Sequence, residues 1–142
     1  MHRRVAGTAS IEFGLLIPVL VTLLLCCAEI GFFIQQTMLV NRAVEAGVSV
    51  AKMRGFDTGA IISAILTNER IPNLRVTPPS LYCGCIVNRT VKPVACDAKC
   101  AGNLIPGHYT DIGAQLKAQT ILPGGFLPLP DSIVVQATTR LN

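Results

Sequence analysis

Residues 7–34 read GTASIEFGLLIPVLVTLLLCCAEIGFFI, and this stretch decides the fold. From Phe13 to Ile34 it runs 22 residues with a single charge, Glu29, near its far end. A hydrocarbon core about 30 Å thick is crossed by about 20 apolar residues rising 1.5 Å each. The run is long enough, and it carries no polar stripe to turn toward water, so it reads as a membrane-spanning helix rather than the buried helix of a soluble domain. Pro18 lacks an N–H and weakens a helix in water, but membrane helices accept it more readily.

The residues before the run set its direction. His2, Arg3 and Arg4 precede it, and the first acid is Glu12. Positive residues stay cytoplasmic, so the N-terminus is expected inside and the remainder outside. An ordinary secretory signal fits the beginning of this pattern but not its exit. Cys26-Cys27-Ala28-Glu29 offers no small-x-small cleavage site, and Leu25 is too large for a lipoprotein box before Cys26.

A different signal lies upstream. A short basic leader ends in Gly7, four residues intervene, and Glu12-Phe13 follows. This resembles the prepilin peptidase signal of type IV pilin-like proteins. The resemblance implies cleavage after Gly7, with Thr8 as the new N-terminus. Glu-Phe-x-Leu-x-Ile-Pro, with Glu29-Ile-Gly beyond the run, is similar to the TadE/TadF group, the pilin-like minor components of tight-adherence (Flp) pili. The partners so implied are the prepilin peptidase, the major pilin, sister minor pilins and the inner-membrane assembly platform. The implied place is the bacterial inner membrane, with a periplasmic C-terminal domain and incorporation into an extracellular pilus left open.

The chemistry asked of Glu12 follows. A carboxylate entering hydrocarbon is costly unless paired. Cleavage would create an ammonium at Thr8, and two helices stacked with a stagger could bring the amine of one to the carboxylate of the next, fixing register. The plainer alternative leaves Glu12 solvated among headgroups. Glu29 lies about 25 Å further along. It is expected at the outer interface, either hydrated there or engaged in subunit pairing.

The remaining sequence is expected to form a small α+β domain. Gln35 to Arg54 continues the helix, with Leu39, Ala43, Ala46, Val50 and Met53 as its apolar face. Gly55 ends it in the manner of a C′ residue. Asp57 or Thr58 caps a short helix over 59–69, with Ile61, Ile62, Ile65 and Leu66 inward and Pro72 as its stop. Leu74 to Thr77 reads as a strand interrupted by Pro78-Pro79, and Leu81 to Val87 as a second. Residues 88–106 read as a loop, Tyr109 to Thr120 as a central strand, Leu122 to Pro130 as irregular, and Ile133 to Leu141 as a last strand. The domain plan is thus a leader over 1–7, a helix over 8–54 spanning the membrane at about 13–34, and an exported antiparallel sheet with its helix over 55–142.

Six cysteines fall into two sets. Cys26 and Cys27 lie in the apolar run as packing residues. Cys83, Cys85, Cys96 and Cys100 cluster beyond it, and in an oxidising compartment an even set reads as two disulfides. Bonding Cys83 to Cys85 would close a strained ring, so both are expected to cross to Cys96 and Cys100, in either pairing. Four thiols could instead hold zinc, though their spacing is not that of a zinc knuckle.

No cofactor or catalytic set is expected. His108 is read as a solvated loop residue without a second histidine, Gly124-Gly125 as a turn, and the exported acids as caps and turns. Met38 and Met53 are read as core. Loss of Arg3 and Arg4 with the leader lowers the net charge from +4 to +2, and there is no tryptophan. Neither a basic face nor a stacking platform for nucleic acid is present. The competing function is an uncut, membrane-anchored module that binds through the cysteine-held loop.

Overall fold

The structure, a computed structural model, describes residues 8–68, 71–122 and 127–141, and only the backbone at 8–11 and 68. The leader and Gly7 lie outside the described residues. Two helices and four strands follow in order: α1 (Thr8–Arg54), α2 (Thr58–Asn68), β1 (Arg75–Val87), β2 (Thr90–Val94), β3 (Gly107–Lys117) and β4 (Ser132–Arg140). The fold is α+β, as the sequence indicates.

The described residues group into two compact units. One comprises those within Met1–Gln35 and Gln119–Leu129, the other those within Gln36–Ala118 and Pro130–Asn142. In the first, α1 runs through Pro18 without a break. The Thr22 hydroxyl donates to the Pro18 carbonyl at 2.7 Å, so this polar side chain is satisfied inside its own helix.

In the second unit, the four strands form an antiparallel sheet in the order β2-β1-β3-β4. Thr110, Ile112, Ala114 and Leu116 alternate along β3 on one face and are buried. Gly47 of α1 marks a close approach. A Cβ built there would stand 2.8 Å from Ile65 Cγ1 of α2 and 3.4 Å from Ile112 Cγ2 of β3. Helix, helix and strand therefore meet closely at Gly47, where any larger residue must displace the Ile65 side chain. Ile61, Ile65 and Ile112 are fully buried, each worth about 1.5–3 kcal/mol.

The buried face of α1 is Val40, Ala43, Val44, Gly47 and Ala51. The expected face was turned by about one position. Ala43 is inside, but Leu39, Ala46 and Val50 are half-buried and Met38 and Met53 are exposed. The close approach at Gly47 explains the shift, because it selects the side of the helix with small and β-branched residues. The same correction applies to α2, where Ile61 and Ile65 are buried, Ile62 is intermediate and Leu66 is exposed. Its cap is Asp57, whose Oδ1 accepts from the Ala60 N–H at 3.1 Å. Gly55 takes the left-handed φ of 80° that closes α1, its N–H donating to the Ala51 carbonyl.

Two strand expectations also change. Pro78-Pro79 does not end a strand, because β1 continues from Arg75 to Val87 and absorbs the prolines as a register shift between Thr77 and Ser80. A bulge is where a strand tolerates proline. The expected loop over 88–106 contains β2, joined to β1 by a two-residue turn at Asn88 and Arg89 with φ of 50° and 65°. Such a turn matches the twist of paired strands, and asparagine accepts its left-handed backbone. β3 is central and β4 closes the sheet, both close to their expected bounds.

Candidate functional site

The apolar run is the feature with the most unsatisfied surface. α1 is long and apolar enough to cross a membrane, with a mean hydropathy of 2.4 over its best window, of which 6% is buried. Leu15 and Leu24 are 72% and 65% exposed. Exposed apolar surface of this kind is compatible with a single membrane-spanning anchor.

The expected processing residues stand at the head of this helix. Thr8 opens α1, and Glu12 and Phe13 are exposed in its following turns. Glu12 is therefore open to a neighbour along the helix.

Glu29 departs from expectation. The sequence puts it at the outer interface, hydrated or engaged in subunit pairing, yet it is 2% exposed, and among the described residues neither carboxylate oxygen has a hydrogen-bond partner. Glu29, Gln36, Val40, Ala43 and Gly47 follow one another at spacings of seven, four, three and four, a single stripe along one side of α1. Hydropathy gave no sense of which side of α1 Glu29 faces. Cys26, three residues before it, is half-buried, and Cys27 is exposed; both are free thiols.

The second cysteine set is assembled by the sheet. β1 carries Cys83 and Cys85, and the chain after β2 returns Cys96 and Cys100. The bonds are Cys83–Cys96 and Cys85–Cys100, with Cα separations of 5.1 and 5.6 Å. These sulfurs are joined in pairs, and no group of three or more possible metal ligands exists among the described residues. His108 is exposed as expected, but it lies in β3 rather than in a loop, its Nδ1 3.6 Å from Cys83 Sγ.

One polar row was missed. On the outer face of the sheet the Tyr82 hydroxyl donates to Asp111 Oδ1 at 3.1 Å, and the Thr138 hydroxyl donates to the same oxygen at 2.6 Å. The row ties β1, β3 and β4 together. Partial burial first, then the Asp111 hydrogen bond and charge, raise the Tyr82 phenol above its usual 10.0. Asp111 was read as a turn acid; alternation along Tyr109–Lys117 was the signal that could have placed it on a sheet face.

Beside this row the outer face leads to a shallow groove at the cysteine end. Gly84, Cys85, Leu104, Ile105, Tyr109 and Arg140 line it. Leu104 and Ile105 are 66% and 87% exposed, on a short turn next to Cys100.

Comparison with known proteins places the N-terminal part of the chain. Residues 7–49 match the family described as TadE-like protein. No curated protein and no solved structure matches the chain. The matched segment includes Gly7, Thr8, Glu12, the apolar run and the stripe through Gly47.

Proposed function

With residues 7–49 those of a TadE-like protein of tight-adherence systems, we propose that this chain is a minor pilin of the TadE type, cut after Gly7 by a prepilin peptidase and used in assembly or composition of a tight-adherence pilus. The observation that carries this reading is the family match over a helix whose apolar surface lies open. Family membership associates the chain with pilus machinery in general. The particular partners proposed are the peptidase, the major pilin, sister minor pilins and the inner-membrane assembly platform.

In this reading the leader over 1–7 is removed, and α1 sits in the inner membrane over about 13–34. The part beyond Arg54 is exported. Cleavage frees the Thr8 amine, and the exposed Glu12 of a staggered neighbour receives it. The apolar run first rests in lipid and then packs against other pilin helices, exchanging one apolar surrounding for another at little cost. The disulfides form in the oxidising compartment outside and stiffen a domain too small for a large core.

Intact-mass measurement of protein purified from membranes of its own host tests this directly. The expected chain begins at Thr8. A chain that keeps Met1 through Gly7 removes the free amine and supports the uncut, membrane-anchored binding module instead.

A further inference from the structure

The two edges of the sheet differ. The N–H of Leu141 donates to the His108 carbonyl, and the N–H of Ala118 to the Asp131 carbonyl, both at 2.9 Å. In an antiparallel ladder hydrogen-bonded pairs alternate with non-bonded ones. With Tyr109 opposite Arg140 and Lys117 opposite Ser132, the odd residues of β4 bond to β3. The N–H and C=O groups of Ser132, Val134, Gln136, Thr138 and Arg140 therefore point away from the sheet. Val134, Gln136, Thr138 and Arg140 are exposed, and among the described residues no backbone hydrogen bond takes up these groups.

β2 is built the other way. Its two-residue turn pairs Thr90 with Val87, so Thr90, Lys92 and Val94 bond to β1 and Val91 and Pro93 point outward. Pro93 has no N–H, which leaves Val91 as the outward donor of that edge. Proline and lysine are devices that keep an edge from pairing. β4 has neither, nor glycine, nor a bulge.

We propose that the outer edge of β4 receives an extended strand from a different pilin-like subunit, running antiparallel to it and carrying a carboxylate near Arg140. Arg140 is the one charge in the outward row and stands at its end, so an acid on the incoming strand completes the pairing there. A second copy of this chain fits less well. In a β4–β4 pair the outward residues opposite Arg140 come from Ser132, Val134, Gln136, Thr138 and Arg140, so a second copy offers no acid there. Pairing β4 with the β2 of a second copy meets the missing N–H of Pro93.

The partner assignment rests on the minor-pilin reading; the open edge does not. The first arm therefore reads the edge alone. The probe is a synthetic peptide of residues 131–141, added to the full-length protein in detergent. Free of α1, it can align antiparallel about Gln136, matching every outward residue and setting its Ser132 opposite Arg140. Amide hydrogen exchange at 132, 134, 136, 138 and 140 should slow at least about tenfold, while the odd amides, already in the β3 ladder, stay slow throughout. Gln136→Pro, which removes an outward N–H and spares the ladder, should abolish the effect and keep the odd amides protected. Even amides already slow without peptide, or unmoved by it, overturn the proposal.

The second arm places a photo-crosslinking residue at position 136 in the native host. An adduct with a different pilin-like subunit supports the partner, whereas a self-adduct or no adduct overturns it. A mature chain that keeps its leader would end the pilin reading without touching the result of the first arm.

Discussion

The two halves of α1 solve the same problem with different surroundings. From Phe13 to Ile34, leucine and valine side chains stand exposed on every side except near Glu29. From Gln36 to Ala51, burial is confined to one stripe, Val40, Ala43, Val44, Gly47 and Ala51, and the opposite side carries Arg42, Glu45 and Lys52. The second half is stabilised by its own chain through α2 and β3. The first half has to find its apolar surroundings elsewhere. Helix propensity and length do not distinguish them; which sides are apolar does.

The comparison breaks first if the exposed half tolerates charge. Leu20→Arg together with Leu24→Arg puts two guanidinium groups in the proposed span, at about 3 kcal/mol each. Most of the protein should leave the membrane fraction in alkaline extraction. Met53→Arg, on the exposed side of the second half, should leave membrane association unchanged.

Disulfide removal has the next largest effect. Cys85→Ser with Cys100→Ser should cost about 2–5 kcal/mol, read as a lower thermal midpoint of the exported domain. Membrane extraction of α1 should not change. A loss of both would mean that the halves are not independent.

Glycine substitutions sharpen the contrast within one helix. Gly47→Leu places a side chain where a Cβ already meets Ile65 at 2.8 Å, and should destabilise by about 1–3 kcal/mol in a denaturant titration. Gly31→Ala meets nothing within 4 Å and should be neutral, or stabilising by up to about 1 kcal/mol.

How much of this was legible follows the same division. The run from Phe13 to Ile34, the cap at Asp57, the stop at Gly55 and the strands near β3 and β4 are local signals, and composition and spacing carry them. The helix faces were misjudged because Gly47 gives no hydrophobic signal, yet its missing side chain decides which side of α1 meets Ile65 and Ile112. Pro78-Pro79 misled because a bulge is a property of two strands, not one. β2 was hidden because its turn, Asn88-Arg89, lacks the glycine that usually announces it. At the candidate site, Gly7, Thr8, Glu12 and Phe13 form a motif of sequence alone, and their role in cleavage and register belongs to the proposal. Burial of Glu29 and the Tyr82–Asp111–Thr138 row depend on tertiary placement and were not readable.

The smallest expected effect concerns that row. Tyr82 is held above 10.0, so its neutral form is favoured by folding. The associated stability is intact below pH 10 and is lost as pH rises through the raised value. Asp111→Asn removes the charge and weakens the acceptor, so the phenolate absorbance of Tyr82 should rise at lower pH than in the parent, toward 10.0. A midpoint that does not move would mean that burial alone sets it.

The central claim is that the exposed half of α1 waits for other helices, registered by one acid. Glu12→Ala tests it, with membrane extraction and pilus yield measured on the same cells. The account predicts normal insertion with pilus assembly lost. Pili at parental yield from Glu12→Ala cells would contradict it.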